Sequence, residues 1–163
     1  MKLSPLIKGI ITAVAMTGFS FFAYSNIAEA SGLHYLVYLI YALGIVWALM
    51  AFRMSPAFTG SFKDSFSVGF RCFIIATLIM AVYTYTFARM HPEFAEKNAK
   101  AYKEQLVKEI KPTMPSDIEA MEKQVASYKK GYELALVYGS IFGYLIIGAG
   151  LTAIGSALLT RRT

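Results

Sequence analysis

Residues 33–52 read LHYLVYLIYALGIVWALMAF, twenty residues without one charged side chain. An α-helix needs roughly 20 apolar residues to cross the hydrocarbon core of a bilayer, and this stretch supplies them in one run. Three further blocks repeat the theme at about 6–27, 66–87 and 134–159. The chain has 163 residues, 56% apolar and 16% charged, whereas a soluble domain carries about 45–50% and about 25%. A soluble core of this size could not bury four such blocks. The expectation is an all-α membrane protein, one domain over 1–163 with four transmembrane helices.

The first block competes with a signal peptide, because Ala28-Glu29-Ala30 resembles a small-residue cleavage site. A signal h-region is roughly 7–15 residues long; this block is longer, and an uncleaved span is expected. Aromatic residues near several block ends (Tyr24, Tyr35, Tyr38, Trp47, Tyr83, Tyr85, Tyr132, Tyr138) suit an interfacial belt.

Charge sets the orientation. Lys2, Lys8, Arg53, Lys63, Arg71, Arg161 and Arg162 flank or enter the blocks on one side, against the single acid Asp64. The other side has Glu29 and the segment 88–133, which holds eight of the ten acids and nine of the sixteen bases and is nearly neutral. By the positive-inside rule both termini are expected in the cytoplasm and residues 88–133 outside. The net charge of +6 follows from this arrangement, and nucleic acid is not expected as a partner. Cys72 is the sole cysteine, so no intrachain disulfide can form.

Residues 88–133 read as a helical hairpin inserted between the third and fourth spans. Pro92 suits a first helical position, and Glu93–Lys97, Glu96–Lys100 and Glu104–Lys108 are i,i+4 pairs with the acid on the N-terminal side. Pro112 and Pro115 predict a tip, and Ser116 to Glu119 a capping box. Apolar residues recur at helical spacing at Ala95, Ala99, Tyr102, Leu106 and Ile110, then at Ile118, Met121, Val125, Tyr128 and Tyr132. Folding the arms antiparallel predicts the layers Ile110/Ile118, Leu106/Met121, Tyr102/Val125, Ala99/Tyr128 and Ala95/Tyr132. At about 1.5 Å per residue the hairpin would stand roughly 25–30 Å long; arms lying flat on the membrane surface are the other reading. The second arm runs in phase into the fourth span, suggesting one long helix with a bend at Gly131.

Small residues repeat along that span at Ala135, Gly139, Gly143, Gly148, Thr152 and Ser156. They let helices approach closely, either within a four-helix bundle or across a homo- or hetero-oligomer face. Arg71 is a candidate for a lipid phosphate or for a structural pair with Asp64, two turns earlier. His34 and His91 lack the paired spacing of a metal site. No nucleophile–base pair, phosphate loop or carboxylate pair stands out, so neither an enzyme, a metal nor a cofactor is expected.

The third-span entry, Phe62-Lys63-Asp64-Ser65-Phe66-Ser67-Val68-Gly69-Phe70, and the turn His91-Pro92-Glu93-Phe94 resemble a bacterial membrane family known as domain of unknown function 4199. His91 stands where that family tends to have an acid. The resemblance implies the four-span layout in a bacterial inner membrane, with residues 88–133 in the periplasm, and carries no catalytic residues with it. The expected partners are membrane lipid, another copy, or an unidentified membrane or periplasmic protein. The function expected first is a non-catalytic interaction or scaffold subunit working through the hairpin or the small-residue face. An accessory role in handling lipid-linked sugars, which the resemblance also suggests, comes second, and a small transporter third.

Overall fold

The computed structural model describes residues 3–26, 33–110 and 114–160, with backbone alone for 24–26 and 33–34. Five helices account for nearly all of them: α1 Pro5–Asn26, α2 Leu33–Arg53, α3 Phe62–Met90, α4 Pro92–Ile110 and α5 Pro115–Thr160. α1, α2, α3 and α5 are each long and apolar enough to cross a membrane. Ala28-Glu29-Ala30, Pro112 and the two C-terminal arginines lie outside the described residues.

The chain divides into two compact units, Met1–Val82 with Ser140–Thr163, and Tyr83–Gly139. α3 and α5 contribute to both. In the first unit large apolar side chains cover the outside, and small polar ones share the apolar interior. Phe21, Leu39, Leu43, Val82, Phe142, Ile146, Ile154 and Leu158 face outward, while Thr12, Ser65, Thr77, Thr152 and Ser156 are buried. Apolar surface of this extent is uncommon on a water-soluble monomer, and small polar residues at helix contacts are what lipid-solvated helices use to pack. The four apolar helices and this outer surface suggest a membrane protein.

The small-residue face becomes a seam between α3 and α5. A Cβ on Gly148 would run into the Tyr41 hydroxyl and the Phe73 ring, and one on Gly69 into the Thr152 side chain. Gly148 thus faces Phe73 and Thr152 faces Gly69, in antiparallel register. Ser156 is fully buried one turn beyond Thr152, and Ser65 one turn before Gly69. Towards the second unit the face opens: Gly143 has only the Tyr38 hydroxyl near its Cβ position, and Gly139 has nothing within 4 Å.

In the second unit α4 packs antiparallel on the first part of α5. Glu96 pairs with Lys129 at 2.8 Å and Lys103 with Glu122 at 3.7 Å, so partner numbers fall on one arm as they rise on the other. Ala99, Leu106 and Met121 are buried in the seam, and Asn98 donates to the Tyr132 hydroxyl at 3.0 Å. Four details differ from the sequence expectation. Tyr102 stacks on Tyr128, centroids 4.5 Å apart, a pair that the expected layers had kept apart. Two flat rings gain more from offset stacking than a ring gains against a branched aliphatic. Ile110 and Ile118 remain about half exposed, because they lie at the two helix ends, where no further layer of described residues covers them. Glu96 bonds across the hairpin to Lys129 rather than pairing with Lys100 along its own helix.

The fourth difference is the cap. α5 begins at Pro115 rather than after Ser116, and the Asp117 carboxylate accepts from the Met114 N–H at 3.2 Å. Proline's fixed φ suits it to the first helical position, which moves the cap back to Met114 and puts Asp117 at the reciprocating third position. α5 then runs unbroken through Gly131 to Thr160.

Candidate functional site

The most unusual side chain is Lys8, and it owes its position to helix periodicity. Ser4 caps α1, its Oγ accepting from the Ile7 N–H at 3.3 Å, with Pro5 in the first turn. Lys8, Thr12 and Met16 then recur at four-residue spacing on one face, and all three are buried. Two close approaches hold that face inward. A Cβ on Gly9 would sit 2.5 Å from the Cys72 carbonyl oxygen of α3, and one on Gly44 of α2 would run into Thr12. With α1 drawn this closely onto α2 and α3, the Lys8 stem has no free path outward.

Lys8 is 7% exposed, and its Nζ lies 5.7 Å from the centre of the Trp47 ring on α2. Among the described residues no carboxylate pairs with it. The ammonium opens onto a groove of about 600 Å³ whose walls include Leu3, Trp47, Phe52, Met54 and Val68. The loop from α2 to α3 forms one side and is itself well ordered. The Phe58 ring meets Phe52 edge-on at 5.6 Å, and the Phe58 N–H donates to the Ser55 carbonyl. Gly60 takes a left-handed φ of 73°, a conformation that costs glycine no Cβ clash.

Asp64 belongs to that loop's closure. Its Oδ2 accepts from the Thr59 hydroxyl at 2.6 Å, and Thr59 Oγ1 accepts in turn from the Ser61 N–H at 3.2 Å. The structure does not bring Asp64 to Arg71: no ion pair joins them, and Arg71 is exposed on α3. The expected structural pair is therefore not formed, because Thr59 holds the carboxylate at the start of the helix. A second groove of about 440 Å³ lies between α2 and α5, walled by Val46, Leu49, Gly155 and Leu158 with Arg53 beside them.

Of the other residues singled out in the sequence, Gly148, Thr152 and Ser156 lie inside the first unit, and Ala135 and Gly139 are exposed. His91 Nδ1 is 2.8 Å from Glu93 Oε1, beside the Phe87 and Phe94 rings. No group of three or more His, Cys, Asp or Glu gathers among the described residues. Lys8 escaped the sequence reading because a lysine at a span's edge normally snorkels. The available signal was Gly9 and Thr12 beside it, which mark a close-packed face.

A family model described as protein of unknown function, DUF4199, matches residues 6–161. No curated protein and no solved structure matches the chain.

Proposed function

The chain belongs to the DUF4199 family, and from that premise we propose that it is a non-catalytic interaction or scaffold subunit of the bacterial inner membrane. The first unit is the membrane anchor, a four-helix bundle with both termini in the cytoplasm. Residues 88–133 are the working part, in the periplasm. The orientation rests on the seven cations that flank the spans on the other side.

One observation carries the reading. The hairpin satisfies its own interior, yet Val107, Ile110, Met114 and Ile118 stay exposed around its tip. Lys100 and Lys130 on the arms are exposed charges that keep the rest soluble. A polar helical pair with exposed apolar side chains at its end offers a partner protein a small apolar anchor, the kind of buried centre on which interfaces depend.

The test is co-purification from native membranes after cross-linking, comparing the wild type with Ile110→Asp, Ile118→Asp and the charge reversals Lys100→Glu and Lys130→Glu. Membrane insertion should be unchanged in all of them, while the tip variants lose the cross-linked partner. If every partner is retained, the hairpin is not the binding surface.

A further inference from the structure

We propose that the groove at Lys8 is a binding site for an anionic phospholipid, whose phosphate pairs with the Lys8 ammonium and whose chain lies along Trp47 and Phe52. This inference concerns the first unit alone and does not depend on the role of the hairpin.

The chemistry of the site asks for such an occupant. Lys8 is more than nine-tenths buried, and its Nζ faces the Trp47 ring at 5.7 Å. An aromatic face attracts a cation but accepts none of its three N–H bonds in the way an oxygen does. The only carboxylate among the described residues of this unit is Asp64, and Thr59 already holds it. A mostly buried lysine whose ammonium opens onto an apolar groove is best satisfied by an anion beside it, and the described residues of this unit leave that place to an outside group. The groove's walls then choose among anions. Leu3, Phe52, Met54 and Val68 are apolar, which gives a free inorganic anion nothing to gain and an acyl chain a surface to cover. An anionic head joined to an apolar tail satisfies both halves of the site.

Trp47 is the only tryptophan in the chain and stands in the groove, so its fluorescence reports occupancy directly. The full-length protein is reconstituted into phosphatidylcholine vesicles containing equal fractions of either brominated phosphatidylglycerol or brominated phosphatidylcholine, with the bromines near the headgroup. Phosphatidylglycerol should quench Trp47 about two- to fivefold more strongly, the preference that one accessible ion pair confers. Lys8→Arg and Lys63→Met should keep the preference. Lys8→Met should lose it while still being quenched by phosphatidylcholine, which shows that the variant has folded and inserted. Equal quenching of the wild type by both lipids overturns the proposal, and so does a preference that survives in Lys8→Met. Inorganic phosphate is added as a competitor; if it alone abolishes the preference, the site takes a free anion and the lipid assignment falls. Should Lys8→Met fail to insert, the wild-type comparison still decides.

Discussion

The Tyr41 hydroxyl of α2 donates to the backbone carbonyl of Tyr144 on α5 at 3.0 Å. The same oxygen is 3.2 Å from Thr77 Oγ1 on α3; with the phenol's one proton directed at Tyr144, Thr77 is the donor in that second bond. A single fully buried oxygen therefore ties three helices together where no water can replace it. Tyr41→Phe keeps the ring and its edge-on contact with Tyr144 but deletes both bonds. A hydrogen bond contributes about 1 kcal/mol on average, and membrane measurements run lower, about 0.6. The variant should fold and unfold about 1 kcal/mol more easily in a detergent titration of the reconstituted protein. No change would mean that the phenol is not held between the two helices.

Glycines on the same helix should respond in opposite directions. Gly131 is exposed, and a Cβ there meets nothing within 4 Å. Gly131→Ala should then gain helix propensity, up to about 1 kcal/mol, and slow hydrogen exchange in the surrounding amides of α5. Gly148 lies against Tyr41 and Phe73, in the closest part of the α3–α5 seam. Gly148→Ala should push the helices apart and cost about 1–3 kcal/mol, the usual penalty for overpacking. Thermal unfolding in detergent separates the two, and the same sign for both would contradict the seam.

Among the described residues, the hydroxyls of Ser65, Thr152 and Ser156 are buried with no hydrogen-bond partner. Leaving a buried donor unpaired costs about 1–3 kcal/mol. Thr152→Val has nearly the same shape and retains the methyl that packs on Gly69. Its stability in the detergent titration should match or exceed that of the wild type. Clear destabilisation would show that the Thr152 hydroxyl has an acceptor in the membrane.

Elements defined by long periodicity were legible from the sequence alone. Four apolar blocks became four span-capable helices, and Leu106 and Met121, both at apolar repeat positions, are buried, because burial at helical repeat leaves a strong pattern. What the sequence hid were choices between equivalent partners. Glu96 has a cation available at Lys100 on its own helix and another at Lys129, and Asp64 has both Arg71 and Thr59; only the fold determines which is nearer. Pro115 carried two meanings, helix breaker and first helical residue, and its neighbours permitted either. Lys8 was concealed by its residue type, since nothing in a single lysine says whether its stem has a way out.

Acid should loosen the hairpin through one identified group. The Lys129 ammonium, hydrogen-bonded to Glu96 and attracting its charge, holds that carboxyl below the ordinary glutamate range. A carboxyl whose value is lowered on folding stabilises the folded hairpin fully above its unfolded value, about 4.3. That support disappears as the pH drops through the lowered, folded value. Because Glu96 is exposed, solvent and salt screen the effect, so a titration is a better measure than bulk stability. Followed by the NMR shift of its side-chain carboxyl carbon, Glu96 should titrate below the ordinary glutamate range. Lys129→Met should return it to the ordinary range, as should high salt in large part. An ordinary midpoint in the wild type would mean that the Glu96–Lys129 bridge does not persist in solution, leaving the seam of Leu106, Met121 and the stacked tyrosines to hold the arms together.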